Sequence, residues 1–315
     1  MSANTIDVKS NLSANTFRGP SSVIWADCPW MDLREDPSKG MTFWTDFIGG
    51  INIPTAAGGA IAQHAGDGLS VYAYTGATIT DGAAEGGVIT FGSDGDNEGV
   101  AFGPTAGAFR LVTTSTLALN GKLWFEARIA RSSVTATKGD FFVGLFDGFL
   151  TSGLPTAAVP ITTTDNTLAT KNLLGFHSKG NGPTEVNFAF CLSGGTVNYP
   201  TNMTTLMASS GNSVLTDGAF VKLGFVFDPA AMPKTITAAT ARQTAGQTKK
   251  ALLRVFVNGL EMPTFLTSDD IVNATAGQAF PTGFMGPGFA VMSQTGSSPP
   301  TMSVDWIRVA QMGNS

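Results

Sequence analysis

Acidic side chains occupy alternate positions in the segment "DGDNEG" at residues 94–99. Oxygen ligands at the first, third and fifth positions, followed by glycine at the sixth, have the spacing of the first half of a calcium loop. The bidentate glutamate expected at the twelfth position is missing, because Thr105 stands there. We therefore take Asp94, Asp96 and Glu98 as a calcium candidate. The alternative is a polar turn whose side chains cap their own backbone.

Glu126 is the acidic residue best placed to act as a base. It lies in "GKLWFEARIAR" at residues 121–131, where apolar and polar residues alternate as they do in a half-buried strand. Lys122 and Arg128 share its polar face and predict cross-strand ion pairs. A general base would also need a partner acid. We expect Glu126 to form ion pairs, and we predict no catalytic residue in this chain.

The other potential nucleophiles and metal ligands are dispersed along the chain. His64 and His177 lack a second His or Cys at the spacing of a zinc site. Two lone cysteines, Cys28 and Cys191, do not define a disulfide framework. We interpret them as two buried thiols, with a disulfide between them as the alternative. No phosphate-binding glycine loop followed by Lys-Ser or Lys-Thr occurs.

Three of the five tryptophans lie close together near the N-terminus. Trp25, Trp30 and Trp44, with Phe43, belong to a segment at residues 21–50 that is too aromatic for an inert linker. Large aromatic side chains dominate binding energy at protein interfaces. We predict that these four residues contact a partner protein or another copy of the chain.

The other two tryptophans, Trp124 and Trp306, lie on predicted strands. Aromatic rings can stack on the apolar faces of pyranoses, so these two residues are candidates for a saccharide platform. The alternative is that both rings lie under the N-terminal segment or in a subunit contact.

Composition excludes several classes of protein. Hydrophobic residues make up 43% of the 315 residues, but charged residues only 13%, which disfavours long amphipathic helices. With a net charge of −5 and no basic cluster, we expect neither nucleic acid nor an anionic membrane as a partner. No segment reaches about 18 apolar residues, and the N-terminus lacks the apolar core of a secretory signal. We expect a soluble protein that is synthesised in a cytoplasm.

Short strand patterns separated by turn signals recur from about residue 66 onward, as in an all-β sandwich. Asn258-Gly259 is the strongest hairpin signal, because both residues tolerate the positive φ of a type I′ turn. The segment "DFFVGLFD" at residues 140–147 is apolar on both faces and predicts a central strand. We divide the chain into an N-terminal arm, partly flexible, at residues 1–50 and a sandwich at residues 51–315.

Two segments resemble strands of the concanavalin A-like jelly roll shared by legume lectins, laminin G domains and family 16 glucanases. They are "ALLRVFVNGLEM" at residues 251–262 and "TMSVDWIRVAQ" at residues 301–311. The resemblance covers about residues 66–311 and implies a jelly-roll β-sandwich of two antiparallel sheets. The glucanases of this fold carry a Glu-x-Asp-x-x-Glu motif. None of the six glutamates begins one, so we reject a hydrolase.

Two other segments resemble structural proteins of tailed bacteriophages. They are "GGVITFGSDGDNEGVAFG" at residues 86–103 and "GKLWFEARIARSSVTATKGDFFVGLFD" at residues 121–147. The resemblance implies a virion protein, and we expect a capsid decoration (cement) protein that stabilises the assembled shell by mass action. Its partners would be the major capsid protein and copies of itself, as a homotrimer on the capsid surface. The alternative is a lectin-like appendage, associated with a tail or head fibre, that binds host glycans.

Overall fold

The computed structural model describes residues 18–47, 61–63, 69–73, 78–82, 87–92, 99–104, 106–113, 119–134, 139–147, 160–161, 167–178, 185–208, 213–235, 246–271, 280–293 and 301–313. Strands dominate these residues, and their four helices are at most six residues long. Within this part of the chain, none of the helices is long and apolar enough to cross a membrane.

The elements follow one another in the order α1 (Ser22–Trp25), α2 (Trp30–Glu35), β1 (Gly40–Thr45), β2 (Ile61–Gln63), β3 (Leu69–Ala73), β4 (Thr78–Gly82), β5 (Val88–Gly92), β6 (Gly99–Pro104), β7 (Leu123–Arg131), β8 (Asp140–Phe146), β9 (Leu173–Ser178), β10 (Val186–Cys191), β11 (Asn198–Asn202), α3 (Met203–Ala208), β12 (Phe220–Phe227), β13 (Pro233–Thr235), β14 (Thr248–Lys250), β15 (Leu253–Val257), β16 (Leu260–Leu266), α4 (Ser268–Ile271), β17 (Gly286–Met292) and β18 (Met302–Met312).

Two large antiparallel sheets form the body of the molecule. Sheet 1 has the order β16-β15-β12-β7-β18-β5-β4, and β1 also pairs with β18. Sheet 2 has the order β11-β10-β9-β8-β17-β6-β3-β2, and β13 and β14 form a small separate ribbon. The all-β jelly-roll sandwich of two antiparallel sheets that the sequence predicts is confirmed.

The core lies between the inner faces of the two sheets. Alternate residues of β7 supply part of it, and the rings of Phe125 and Phe225 stack with their centroids 4.7 Å apart. Strand β8 lies between β9 and β17, and all seven of its residues are buried. Its outer face packs against a second apolar cluster that includes Ile161 and Leu168. The prediction of a central strand covered on both faces is confirmed.

The predicted hairpin at Asn258-Gly259 is also confirmed. These two residues join β15 to β16 and have φ angles of 51° and 76°, as a type I′ turn requires. By contrast, the strand pattern at residues 109–113, "FRLVT", predicts a strand that does not form. That segment makes only the isolated bridges Phe109 to Met285 and Val112 to Leu119 among the described residues.

Strand β1 is an addition that the sequence did not predict. Its residues pair with β18 from Gly40 opposite Met312 to Thr45 opposite Ile307. Residues 40–45 were assigned to the N-terminal arm, but they are part of sheet 1. The preceding residues 18–39, called here the helical segment, carry α1 and α2 and pack on the outer face of the same sheet.

Candidate functional site

Strands β1, β18 and β7 align polar and aromatic residues across the outer face of sheet 1. Trp44 lies opposite Arg308, and Arg308 lies opposite Glu126. Because residues opposite each other in antiparallel strands share a face, these three side chains form one row. Thr42 lies two residues from Trp44 along β1 and therefore lies on the same face.

The helical segment covers part of this face with apolar contacts. Ile24 and Leu33 pack in one buried cluster with Trp124, and they are 2% and 3% exposed. A Cβ atom at Gly224 would lie 2.6 Å from Cδ1 of Ile24. The missing side chain on β12 is therefore what lets α1 approach the sheet so closely.

Arg308 is surrounded by three indole rings. Its Cζ atom lies 3.7 Å from the ring centroid of Trp30, 4.3 Å from that of Trp25 and 5.3 Å from that of Trp44. Trp44 in turn stacks on Trp306 at 5.6 Å with an interplanar angle of 20°. The three rings make cation–π contacts with the guanidinium group, and stacking on Trp306 orients the Trp44 ring.

A cleft of about 460 Å³ opens beside these rings. We call it the tryptophan cleft, and its lining residues are Pro20, Trp30, Arg34, Thr42, Trp44 and Arg308. Trp44 is 39% exposed, so part of its ring is accessible from solvent. The cleft therefore combines aromatic surface with a hydroxyl group and two guanidinium groups.

Both arginines of the tryptophan cleft lack an acidic partner among the described residues. No carboxylate of the described chain lies within ion-pair distance of Arg34 or Arg308. Within the same residues, the buried Nε of Arg308 has no hydrogen-bond acceptor. Burial lowers the pKa of Arg308 from its usual value, while Cys28 and Glu126 act in the opposite direction.

Glu126 holds the helical segment onto the sheet. Its Oε2 accepts hydrogen bonds from the backbone N–H of Ser21 at 2.9 Å and from Nε1 of Trp25 at 2.8 Å. The residue is fully buried, and burial raises its pKa although these hydrogen bonds and the nearby Lys222 favour the ionised form. In the described part of the chain, Oε1 has no hydrogen-bond donor.

The ion pairs predicted for Glu126 are wrong. Lys122 instead pairs with Asp27 and Asp228, each at 2.5 Å, and Arg128 pairs with Asp305. The helical segment supplies Asp27, and a β-bulge in β18 presents Asp305. None of the three aspartates is near β7 in sequence, so the alternation within β7 could not indicate them.

Trp124 and Trp306, the predicted saccharide platform, are buried, with 0% and 2% of their surface exposed. Nε1 of Trp124 donates to Asp27 at 3.0 Å, and Nε1 of Trp306 donates to the carbonyl oxygen of Arg18 at 2.6 Å. The helical segment thus covers both rings, which was the alternative considered, and neither can stack on a sugar from solvent.

The four predicted contact residues do not share one surface. Trp25, Trp30 and Trp44 pack around Arg308, whereas Phe43 lies on the opposite face of β1 and packs against the core between the sheets. Contact between these residues and a capsid or another subunit stays a prediction.

The calcium candidate, Asp94, Asp96 and Glu98, lies outside the described residues. Among the residues that are described, no three His, Cys, Asp or Glu side chains come together in a group that could hold a metal ion. Cys28 and Cys191 are free thiols that pack in clusters on the outer sides of sheet 1 and sheet 2 respectively. Cys191 is buried as predicted, but Cys28 is only partly buried.

Sequence reasoning missed four residues of the tryptophan cleft, namely Pro20, Arg34, Thr42 and Arg308. Thr42 and Trp44 alternate along "GMTFWT", a pattern of period two that indicates a strand with one shared face. Arg308 lies two residues after Trp306, so the same period of two places both side chains on one face of a strand. No sequence pattern indicates Arg34, which reaches the cleft from α2.

Comparison with known proteins yields likenesses in structure only. No protein family matches the chain, and no curated protein does. The carbohydrate recognition domain of Emp47p has a TM-score of 0.47 and 11% identity, over 89% of this chain and 99% of that domain. Arcelin-5, a lectin-like defence protein from Phaseolus vulgaris, has a TM-score of 0.46 and 12% identity, over 87% of this chain and 99% of that protein. Peanut lectin has a TM-score of 0.45 and 10% identity, over 88% of this chain and 100% of that lectin.

These solved structures have concanavalin A-like folds, and at such low identity the likeness concerns the fold alone. What this chain binds has to be inferred from its own residues.

Proposed function

We propose that this chain is a non-enzymatic carbohydrate-binding protein whose saccharide lies in the tryptophan cleft. The single observation that carries the proposal is the partly exposed Trp44 ring beside a hydroxyl group and two arginines in a cleft of about 460 Å³. Aromatic surface with a few convergent polar groups is the usual composition of a small-molecule site.

The chemistry of the cleft suits a pyranose ring. An indole face packs against the axial C–H groups of a sugar, while N–H and O–H groups bind its hydroxyls. Trp44 is held in place by stacking on Trp306 and by an edge contact with Trp30. A ring fixed before binding loses little conformational entropy when the ligand arrives, which favours affinity.

The same geometry supports binding without catalysis. Among the described residues that line the cleft there is no carboxylate, and hydrolysis of a glycosidic bond ordinarily requires two. Glu126 is the acidic residue in the adjoining row, but its Oε2 is occupied by Ser21 and Trp25 beneath the helical segment.

A glycan array followed by titration of the best ligand tests this proposal. Trp44→Ala removes the stacking surface, and we expect it to weaken binding at least tenfold, a change of about 1.4 kcal/mol. Phe284→Ala is the matched control, because Phe284 is an aromatic residue that is 52% exposed outside the cleft. Failure of the unaltered chain to bind any glycan, or equal binding by Trp44→Ala, would contradict the proposal.

A second candidate function, capsid decoration, is favoured by a different observation. Of eight large apolar side chains that are exposed among the described residues, four lie between residues 23 and 44, namely Val23, Met31, Met41 and Trp44. Exposed apolar side chains concentrated in one segment favour a protein interface. In this proposal the partners are the major capsid protein and neighbouring copies in a trimer, and the protein lies on the capsid surface.

Co-sedimentation with capsids that lack this protein tests the second candidate. The double substitution Val23→Ser with Met31→Ser removes two of the exposed side chains and leaves the buried residues of the helical segment intact. We expect saturable binding by the unaltered chain and loss of binding by the double variant. Met232→Ser is the control, because Met232 is 80% exposed and lies far along the chain from this segment. Absence of binding by the unaltered chain would refute decoration.

A further inference from the structure

The positively charged side chains on the outer face of sheet 1 differ in whether a carboxylate forms an ion pair with them. Arg18 and Arg128 both pair with Asp305, and Lys122 pairs with Asp27 and Asp228. Arg34 and Arg308, which line the tryptophan cleft, have no such carboxylate among the described residues. Glu126 lies opposite Arg308 on the neighbouring strand, but beyond ion-pair distance. Two arginines without a paired carboxylate therefore meet at the tryptophan cleft.

Of the two arginines, Arg308 is the more unfavourable to keep without an ion-pair partner, because it is partly buried. The three indole rings partly shield its guanidinium group from water, and removing an ion from water is unfavourable unless the ion is paired. Its buried Nε also lacks an acceptor within the described chain. A ligand anion in the tryptophan cleft would supply the missing ion-pair partner.

The shape of the Arg308 side chain favours a planar anion. Its guanidinium group, which lines the tryptophan cleft, carries N–H donors in a rigid planar fork. A carboxylate matches this fork with two parallel N–H···O hydrogen bonds, which are short and strong because both partners are charged. Arg34 is exposed on α2 and adds a second positive charge at the rim of the cleft.

We infer that the saccharide bound in the tryptophan cleft carries a carboxylate group, as uronic and other sugar acids do. This inference rests on the proposed carbohydrate-binding function and narrows it. The sugar ring lies against Trp44, the carboxylate pairs with Arg308, and Arg34 attracts the anion to the cleft.

A glycan array that contains neutral, carboxylated and sulfated glycans is the first test. We expect binding only to carboxylated glycans. Equal binding to neutral glycans would overturn the inference and leave the proposed function standing, whereas binding to no glycan would overturn both. Binding to sulfated glycans that lack a carboxylate would overturn the choice of anion.

Titration of the best carboxylated glycan and of its carboxyl-reduced form, which differs only in that group, is the second test. We expect the acid to bind at least tenfold more tightly than the reduced form. Arg308→Lys keeps the charge but loses the planar fork, and Arg34→Gln removes the charge of an exposed residue. Each should lower the affinity for the acid severalfold more than it lowers the affinity for the reduced form.

Lys250→Gln is the matched control, because it removes one exposed positive charge from a residue that does not line the cleft. It should leave both affinities unchanged. If Lys250→Gln weakens binding of the acid as much as Arg34→Gln does, the attraction comes from the overall charge of the protein and the inference is wrong. Equal affinities of the acid and reduced forms for the unaltered chain would also refute it.

Discussion

At the scale of single residues, Glu126 has the most consequential environment. It is a fully buried carboxyl group on β7 that receives two hydrogen bonds from the helical segment. Burial outweighs those hydrogen bonds and raises its pKa. The residue therefore fixes the position of the helical segment at an electrostatic cost that depends on pH.

The direction of that dependence follows from the raised pKa. The folded chain binds the Glu126 proton more tightly than the unfolded chain does, so this residue stabilises the fold at pH values below the ordinary carboxyl pKa. The contribution is lost as the pH rises through the raised pKa of the folded state. Glu126→Gln keeps a hydrogen-bond acceptor but cannot ionise. The stability of this variant therefore lacks the pH dependence that Glu126 contributes.

We therefore expect the free energy of unfolding of the unaltered chain, relative to Glu126→Gln, to decrease as the pH rises above the ordinary carboxyl pKa of about 4.3. Denaturant unfolding of both proteins at several pH values measures this difference. Glu185→Gln, at an exposed residue, is the control. A difference that does not change with pH would show that Glu126 is not buried as a titrating group.

At the scale of elements, the packing of α1 against β12 depends on Gly224. A Cβ atom there would lie 2.6 Å from Cδ1 of Ile24 and 2.9 Å from the carbonyl oxygen of Phe125. We expect Gly224→Ala to destabilise the fold by about 1–3 kcal/mol, as overpacking does. Ile24→Ala should relieve part of that cost, so the double variant should be more stable than the sum of the two changes predicts.

Unfolding of the two single variants and the double variant measures this coupling. Strict additivity would show that the contact with Ile24 does not limit the approach of α1, and that only the crowding at Phe125 matters.

The turn between β15 and β16 gives a second prediction at this scale. Gly259 has a φ of 76°, a left-handed conformation that costs other residues about 1–2 kcal/mol. A Cβ atom would also lie 3.1 Å from the side chain of Ser21. We expect Gly259→Ala to lower the free energy of unfolding by at least that amount, measured by denaturant titration. Gly259→Asn should cost less, because asparagine tolerates this conformation.

The elements also show what sequence reasoning could recover. The alternation in β7, the apolar segment of β8 and the Asn-Gly turn are local patterns, and each predicted its element correctly. Local patterns could not show that both faces of β7 are buried, because the residues that cover its outer face come from the helical segment a hundred positions earlier. The tryptophan cleft was missed for the same reason, since β1, α2 and β18 meet only in the folded chain.

At the scale of the whole molecule, the helical segment and β1 complete sheet 1. Together they pair with β18 and cover Trp124, Val226, Phe256 and Trp306 on the outer face. We expect a shortened chain that begins at Gly49 to expose this apolar surface and the edge of β18, and therefore to aggregate. Size-exclusion chromatography checks this. A monomeric, cooperatively unfolding short chain would show that the sandwich does not need the preceding residues.

The pairing of Gly40 with Met312 also has a consequence for the chain during synthesis. Strand β1 leaves the ribosome before nearly all of the sandwich, yet the strand with which it pairs is translated last. At ~5–20 residues per second, β1 waits roughly 15–50 seconds for β18. Throughout that interval Trp44 lacks both Trp306 and Arg308. A nascent chain interrupted before β18 therefore has no tryptophan cleft.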